Sequence, residues 1–181
     1  MKVIDLARIT LRKASPEDLD ALQKICIQIY SYYFGDYWMG QGLNNYIEEQ
    51  FGKEALRRDL RNPKVDFYFI VQDNVAVGFA KINFKAKLTG LSTNHTAELE
   101  KIYIDPAAKG QGIGKVVMNY IMSIAKKNRC QEVFLGVLGT NDEARKFYEK
   151  LGFKHYGTTT LPYPTFKKEH NSLDIMHIKI Q

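Results

Sequence analysis

The feature that most constrains this sequence is an alternation of strand-like and helix-like segments in its second half. Residues 98–104 read as a strand, and a glycine-rich turn leads from them into a helix whose apolar residues recur at helical spacing over residues 113–125. Residues 132–138 form a nearly all-apolar run, which is typical of a strand covered on both faces. A second helix is predicted over residues 141–151, with Gly152 as its C-terminal cap. This order predicts a sheet with helices packed on it.

The flanking segments add further strands and helices to this unit. Alternating polar and apolar residues over 8–13 predict a strand, and Ser15 followed by Pro16 predicts the start of an amphipathic helix. Residues 44–61 predict two short helices, and residues 66–85 predict a hairpin that turns at Asp73–Asn74. Two final strands are predicted at residues 153–157 and 172–180. Mixed strands and helices along 181 residues predict a single α/β domain over residues 1–181.

Charge and composition limit the class of partner. The net charge is +6, and because the first 66 residues hold ten basic and ten acidic residues, the excess lies in residues 67–181. A basic surface favours nucleic acid, a membrane surface or a phosphorylated cofactor. No stretch approaches the roughly 18 apolar residues of a membrane helix, and no nucleic-acid recognition motif is present. We therefore expect no membrane or nucleic-acid partner. Nucleic-acid binding is kept as the least favoured function class, motivated only by the net charge.

Cysteine and histidine usage indicates a reduced protein without a metal. The two cysteines, Cys26 and Cys130, are too few for a disulfide framework. The four histidines have no ligand-like spacing, so no metal site is expected. Since the first residues also lack the apolar core of a signal peptide, a cytoplasmic location is the expectation.

The glycine-rich turn has the sequence Lys109-Gly110-Gln111-Gly112-Ile113-Gly114-Lys115. Glycines let the chain turn tightly, and the free N–H groups of the following helix turn attract phosphate oxygens. The spacing fits neither the Rossmann fingerprint nor the Walker loop. On these residues alone, the turn is either an ordinary tight turn or a pyrophosphate site.

A second motif follows the buried strand, with the spacing N-x-x-A-x-x-x-Y-x-x-x-G-F from Asn141 through Ala144, Tyr148 and Gly152 to Phe153. Together with the upstream turn, it resembles the Gcn5-related N-acetyltransferases, the GNAT superfamily. The resemblance implies a single domain with a central, mostly antiparallel, twisted sheet flanked by helices and a splayed cofactor cleft. It places the acetyl-CoA-binding motifs within residues 98–153.

Parts of the chain are similar to bacterial spermidine/spermine acetyltransferases of the PaiA type. The shared runs are residues 60–63 before Phe67-Tyr68-Phe69, then residues 98–104 and Leu135-Gly136-Val137. That group usually carries Trp-Glu where this chain has Leu138-Gly139. The resemblance implies acetyl transfer from acetyl-CoA to a primary amine by direct attack in a ternary complex, with a polyamine acceptor favoured.

The resemblance also assigns roles to residues. The turn from Lys109 to Lys115 would bind the pyrophosphate of acetyl-CoA, although the family usually begins this motif with Arg or Gln. Asn141 would contact the pantetheine arm, and Tyr148 would protonate the departing thiolate. The main chain of Ile102, Tyr103 and Ile104 would pair with the pantetheine amides. The alternatives are that Asn141 is a helix cap, a role compatible with the first, and that Tyr148 is a buried aromatic on the amphipathic face of its helix; for Tyr148 we favour the catalytic role.

An amine acceptor arrives protonated, so the site needs a base. Glu98 and Glu100 share a face of the predicted strand beside the turn. Some relatives carry a catalytic glutamate at the position of Glu98, so we prefer it, with Glu100 as the second candidate. The alternatives are two solvated acids on a strand near its edge, or deprotonation through water.

The acceptor is predicted from an acidic, aromatic stretch. Residues 25–52 contain neither Lys nor Arg. Acids and aromatic rings suit an extended cation, and the predicted acceptor-binding residues are Tyr33, Asp36, Tyr37, Trp38 and Glu98. The alternative is that many of these rings are helix core.

Two further function classes stay open. The chain could be a non-catalytic acetyl-CoA-binding sensor, or an acetyltransferase acting on a protein, peptide or aminoglycoside amine. Relatives are often dimers, so a homodimer is allowed by the resemblance, whereas the sequence itself indicates no oligomeric state.

Overall fold

The structure is a computed structural model that describes residues 9–90 and 95–180 of the chain. Within these ranges the chain forms seven strands: β1 (Ile9–Lys13), β2 (Val65–Gln72), β3 (Val75–Phe84), β4 (Thr96–Ile104), β5 (Glu132–Leu138), β6 (Lys154–Thr160) and β7 (Ser172–Lys179). The same ranges hold five α-helices: α1 (Leu19–Phe34), α2 (Gly42–Phe51), α3 (Lys53–Arg61), α4 (Ile113–Lys127) and α5 (Asp142–Lys150).

All seven strands belong to one sheet, in the order β1-β2-β3-β4-β5-β7-β6. Neighbouring strands run antiparallel except β4 and β5, which are parallel. A parallel pair needs a crossover, and α4 supplies it between these two strands. This mostly antiparallel sheet with flanking helices confirms the predicted mixed α/β fold.

Most predicted elements lie where the sequence placed them. The hairpin turns at Asp73 and Asn74, which have φ of 51° and 65°, the left-handed values that a tight two-residue hairpin turn requires. Gly152 ends α5 with φ of 93°. Several boundaries differ by two or three residues. A 3₁₀ turn (Pro16–Asp18) precedes α1, α2 begins at Gly42 instead of residue 44, β4 begins at Thr96 instead of residue 98, and β6 continues to Thr160 instead of ending near residue 157. Arg8, in the predicted strand 8–13, lies outside the described residues.

Each face of the sheet carries its own hydrophobic core, because side chains alternate between the two faces along each strand. One core packs α4 and α5 on the sheet through residues such as Ile82, Leu99 and Val117. The other packs α1, α2 and α3 on the opposite face through residues such as Leu22 and Phe79. The two cores therefore hold α4 and α5 on one face of the sheet and α1, α2 and α3 on the opposite face.

Two features of the described residues concern membrane and metal binding. None of the helices described is both long and apolar enough to cross a membrane. In the same parts of the chain, the His, Cys, Asp and Glu side chains form no group that could hold a metal ion.

Asp18 stabilises the start of α1 and yields the first prediction. Its carboxylate accepts hydrogen bonds from the Ser15 N–H (2.9 Å) and from the Arg12 guanidinium (2.9 and 3.0 Å). The bonds from Arg12, outweighing the effect of partial burial, lower the pKa of Asp18 to about 2. We expect Asp18→Ala to reduce the free energy of unfolding by about 1 kcal/mol near neutral pH, as for a lost helix cap.

The pH dependence of this loss follows from the lowered pKa. The carboxylate contributes stability above the unfolded pKa of about 4, and the contribution disappears as the pH falls toward the folded pKa. Urea unfolding of wild type and Asp18→Ala should therefore show a difference that narrows from about pH 5 to about pH 3. Asp20→Ala, which loses only an exposed pair with Lys53, is the control. A difference that does not change with pH would contradict this role.

Candidate active site

The sheet opens where β4 and β5 separate. The two strands pair from Thr96–Glu132 to Leu99–Leu135, and no pairing follows beyond Leu99. Residues 101–104 stay paired with β3 on one side only, while residues 136–138 stay paired with β7. A cavity of about 640 Å³ occupies the opening, and residues 102–104 and 136–138 line it from its two sides. Backbone groups on the open edge of β4 are therefore available to a ligand.

The glycine-rich turn lies at this opening. Gly110 and Gly112 have φ of 80° and 76°, so the turn uses the conformational freedom predicted for it, and Gly112 is the N-cap of α4. The first N–H groups of α4 have no acceptor within the helix, which makes them donors for an anion. A Cβ on Gly114 would lie 3.3 Å from the Phe147 ring. The turn therefore offers the donors and close backbone approach that a pyrophosphate requires.

The side chains of the turn differ in placement. Lys109, Gly110, Gly112, Ile113 and Gly114 line the cavity, whereas Gln111 and Lys115 do not. The Gln111 amide oxygen instead accepts a hydrogen bond from Gln72 of β2 (3.1 Å).

Lys109 forms an ion pair across the opening. Its ammonium lies 2.8 Å from the Glu143 carboxylate on α5, and both side chains are largely exposed and line the cavity. This pair joins the glycine-rich turn to α5. An anion bound at the turn would compete with Glu143 for Lys109.

The two polar residues of the second motif both line the cavity. Asn141 caps α5, because its Oδ1 accepts a hydrogen bond from the Ala144 N–H (3.0 Å). Tyr148 is buried, with its ring between those of Phe147 and Phe153 at centroid distances of 5.2 and 5.6 Å. Burial raises the pKa of Tyr148, so its hydroxyl stays protonated near neutral pH. Asn141 thus serves as a cap and faces the cavity as well.

Glu98 and Glu100 lie side by side, as the strand pattern predicted. The Asn83 amide nitrogen on β3 donates to both carboxylates, at 3.0 Å to Glu98 and 2.6 Å to Glu100. A β-bulge adds Glu100 as an extra residue, because Lys81 of β3 is opposite Lys101 whereas the next residue is opposite Leu99. The bulge turns Lys101 onto the same face as Glu98.

Glu100 belongs to a buried chain of alternating charges. Its carboxylate contacts the ammonium groups of Lys101 and Lys81 (2.8 Å to Lys81), and Lys81 lies 2.9 Å from Asp59 on α3. Burial acts to raise the pKa of Glu100, but the two ammonium groups outweigh it and lower that pKa to about 2. Glu100 is therefore a firmly ionised counter-ion.

Glu98 differs from Glu100 in its surroundings. Burial, the largest influence, raises the pKa of Glu98, the Asn83 amide opposes the rise, and the Glu100 carboxylate adds to it. Glu98 lines the cavity and forms none of the ion pairs found among the described residues. Of the two glutamates, Glu98 is therefore the stronger base.

The predicted acceptor residues divide into two groups. Tyr33 and Trp38 line the cavity. The Tyr33 hydroxyl donates to the Ile104 carbonyl on β4 (2.9 Å), and the buried Trp38 Nε1–H has no hydrogen-bond partner among the described residues. Tyr37 and Asp36 lie outside the cavity, where Tyr37 stacks on His170 with ring centroids 4.2 Å apart.

Several cavity residues escaped sequence reasoning. Sequence periodicity along single helices and strands does not show which rings meet across them. The C-terminal run 161–163 carries a proline and an aromatic residue, a signal that pointed only to a loop. The side chains that were missed are Tyr46, Gln50, Lys101, Tyr163 and Phe166. Together with Tyr30, Phe34 and Trp38 of the acidic, aromatic stretch, they line the part of the cavity that we call its inner end.

Comparisons with known proteins agree with this geometry. The model of the acetyltransferase (GNAT) family matches residues 21–153. The PaiA N-acetyltransferase of Thermoplasma acidophilum, solved in complex with coenzyme A, superposes with a TM-score of 0.74 at 25% identity, over 94% of this chain and 98% of that one. An uncharacterized N-acetyltransferase of Mycobacterium tuberculosis is 38% identical over 116 residues, 64% of this chain and 70% of that protein.

Some curated relatives are longer than the part that aligns. An uncharacterized N-acetyltransferase of Methanocaldococcus jannaschii is 27% identical over 164 residues, which are 85% of this chain and 65% of that protein. Two further relatives are matched over 39% and 36% of their length.

The chain belongs to the GNAT family of acetyltransferases, as the two motifs predicted. The cosubstrate of this family is acetyl-CoA, and a structural relative was solved with coenzyme A bound. The opened β4 edge, the glycine-rich turn and its free N–H groups fit such a ligand.

The Lys109–Glu143 pair gives the second prediction. Glu143→Gln should tighten coenzyme A binding about two- to fivefold at low salt, because Lys109 loses its competing carboxylate and one negative charge near the anionic ligand disappears. Titration calorimetry at low and high salt measures the change, which should shrink at high salt. Glu149→Gln, on the same helix but outside the cavity lining, is the matched control. Weaker binding by Glu143→Gln would contradict the competition.

Proposed function

We propose that this chain is an acetyl-CoA-dependent N-acetyltransferase that acts on a primary amine, with a polyamine as the favoured acceptor. The observation that carries the proposal is a single cavity lined by a carboxylate without an ion-pair partner among the described residues, Glu98, and by a buried phenol, Tyr148, with the glycine-rich turn at its opening. A base and an acid facing one cavity are what amine acylation by a thioester requires.

Glu98 is the proposed base. With a pKa near 10, only about one amine in a thousand is uncharged at pH 7, so a proton must leave as the nitrogen attacks. Glu98 is held in place by one neutral amide donor, and its raised pKa brings it closer to the working pH. Glu100 is a poor base because Lys81 and Lys101 hold it ionised.

Tyr148 is the proposed acid. Bound acetyl-CoA supplies the acetyl thioester, and Tyr148, which lines the cavity and keeps its hydroxyl protonated, would give its proton to the departing thiolate. The proposed donor to the developing negative charge on oxygen is a backbone N–H of residues 102–104, which line the cavity on the open edge of β4. Cys130 takes no part, because burial raises the pKa of its thiol and it lies outside the cavity lining.

The inner end of the cavity suits an extended cation. In the part of the chain that the structure describes, the charges of Asp59, Lys81, Glu100 and Lys101 cancel, and the carboxylate of Glu98 adds one net negative charge. Aromatic walls, among them stacked Tyr30 and Tyr46 (4.6 Å), bind alkylammonium groups through cation–π contacts. This combination supports a polyamine acceptor.

A second acceptor class is favoured by a specific observation. The Lys101 ammonium and the unpartnered Trp38 Nε1–H are hydrogen-bond donors whose side chains line the same inner end. Such donors suit an acceptor whose amine is accompanied by a hydroxyl or carboxylate, as in an amino sugar or amino acid. A non-catalytic acetyl-CoA sensor is the remaining alternative, and Glu98 and Tyr148 in one cavity argue against it.

Substitutions of Glu98, Tyr148 and Glu100 separate the roles of these three residues. Glu98→Gln should reduce kcat/KM by about 10²- to 10³-fold, with coenzyme A affinity unchanged, because only the proton acceptor is lost. Tyr148→Phe should lower kcat by about 10²-fold. Glu100→Gln should instead destabilise the fold by about 3 kcal/mol, because buried lysines lose their counter-ion.

Thiol release from acetyl-CoA measures turnover, coenzyme A titration measures cofactor affinity, and urea unfolding measures the stability of the fold. Coenzyme A binding by the wild type without thiol release for any amine would support the sensor. Turnover that is unchanged in both Glu98→Gln and Tyr148→Phe would contradict the proposed chemistry. The pH profile of kcat/KM for the wild type should have an acidic limb above the ordinary pKa of a glutamate, since burial raises the pKa of Glu98.

An acceptor panel tests the polyamine proposal. Spermidine and spermine should have kcat/KM values at least about tenfold above those of amino acids, aminoglycosides and peptides, because Glu98 and the aromatic walls favour an alkylammonium over an amine with an adjacent anion. Turnover is measured by thiol release at matched concentrations. Absence of turnover with every polyamine, together with turnover of an amino sugar or amino acid, would favour the second class.

A further inference from the structure

Asn83 lies directly behind the two glutamates. It is near the end of β3, and its Cα is opposite that of Glu98 in the β3–β4 pairing, just past the bulge. Its side-chain nitrogen donates to Glu98 Oε2 at 3.0 Å and to Glu100 Oε2 at 2.6 Å. An amide NH₂ has two N–H donors, and both are used on these carboxylates.

The chemistry of the contact fixes the orientation of this amide. In the opposite orientation, the carbonyl oxygen of Asn83 would face the two carboxylates. Because a carbonyl oxygen cannot donate a hydrogen bond, this contact would be repulsive. The observed orientation places Oδ1 in a buried position without a hydrogen-bond partner among the described residues. Leaving a buried acceptor unpaired is unfavourable, and an apolar side chain would avoid it. The stabilising effect of Asn83 is therefore exerted on the two carboxylates.

The two carboxylates depend on Asn83 to different degrees. Glu100 has two ammonium partners of its own, Lys81 and Lys101. The charged groups that act on Glu98 are Glu100 and Lys101 from its own strand and Lys81 from β3, with Asp59 of α3 behind Lys81. None of the lysines hydrogen-bonds to Glu98, whose contact to Asn83 is direct.

We propose that Asn83 is a positioning residue for acetyl transfer, which orients the Glu98 carboxylate and stabilises its ionised form beside Glu100. This inference rests on the proposed function, in which Glu98 takes the proton of the acceptor amine. The shared amide keeps the two neighbouring carboxylates from sharing a proton, so that Glu98 enters the reaction ionised. Asn83 itself lies outside the cavity lining and acts through Glu98.

The test is the pH dependence of kcat/KM in Asn83→Leu, with the full chain, acetyl-CoA and the best amine of the acceptor panel. Without the amide donor, the pKa of Glu98 should rise, so the acidic limb should move up by about one pH unit. The plateau rate should fall about tenfold, whereas coenzyme A affinity should be unchanged. Asn119→Leu, on the exposed side of α4, is the matched control and should show neither change.

A double-mutant cycle separates positioning from a general structural role. In a Glu98→Gln background, Asn83→Leu should cost no further rate, because the residue through which Asn83 acts is absent. A merely structural residue would reduce the rate in both backgrounds. Asn83→Ala, which removes both hydrogen-bond donors and adds no bulk, provides a second variant if Asn83→Leu does not fold, and the acidic limb of its pH profile should shift in the same direction.

The outcomes distinguish this inference from the function on which it rests. If Glu98→Gln retains full turnover, the proposed base is wrong. If Glu98→Gln loses turnover while the foldable Asn83 variants keep the wild-type limb and plateau, only the role of Asn83 is overturned. A shifted limb in the wild-type background, with no further loss in the Glu98→Gln background, supports it.

Discussion

The separation of β4 from β5 is the constraint on which the rest of the structure depends. Parallel pairing ends at Leu99, and the following residues of β4 keep only the pairing to β3. An open strand edge inside a protein is unfavourable unless its backbone groups find partners. One partner is present, because the Tyr33 hydroxyl donates to the Ile104 carbonyl. The backbone groups on the rest of this edge have no partner on β5 and are available to a ligand.

The bulge at Glu100 determines which side chains meet at this opening. A regular strand would place Lys101 and Tyr103 on the face opposite Glu98. With one extra residue, all of them lie on the face covered by α1, α2 and α3, where the Tyr103 ring contacts those of Tyr30, Phe34 and Phe79. The buried ion pairs of Glu100 then hold α3 to the sheet through Lys81 and Asp59. Glu98, the proposed base, and Glu100, a member of the buried charge chain, thus lie two residues apart on β4.

The sequence predicted most of the fold and the cofactor side of the site, for identifiable reasons. The glycine spacing of residues 110–114 and the motif from Asn141 to Phe153 each lie in one short segment of the chain. The residues of such a segment are enough to predict its turn or helix. The hairpin at Asp73 and the buried strand β5 were predicted equally well. Local patterns carry this information because turns, caps and apolar periodicity depend on neighbouring residues.

The acceptor side could not be predicted to the same depth, because it is assembled from distant segments. The bulge depends on register between β3 and β4, which no spacing within residues 98–104 reveals. The contacts of Asn83 with two glutamates, and of Lys81 with Asp59, join residues 15 or more positions apart. Likewise, Asp36 and Tyr37 follow Tyr33 closely in sequence, yet a short 3₁₀ turn (Gly35–Tyr37) directs them away from the cavity.

We propose that thioester and amine meet in the opening between β4 and β5. The decisive measurement is a crystal structure with a bisubstrate analogue, coenzyme A joined through an acetyl bridge to a polyamine. The sulfur should lie within hydrogen-bond reach of the Tyr148 hydroxyl, the bridged nitrogen on the Glu98 side, and the pyrophosphate on the N–H groups of the glycine-rich turn. An analogue bound outside this opening, or with its amine arm directed away from Glu98, would contradict this arrangement.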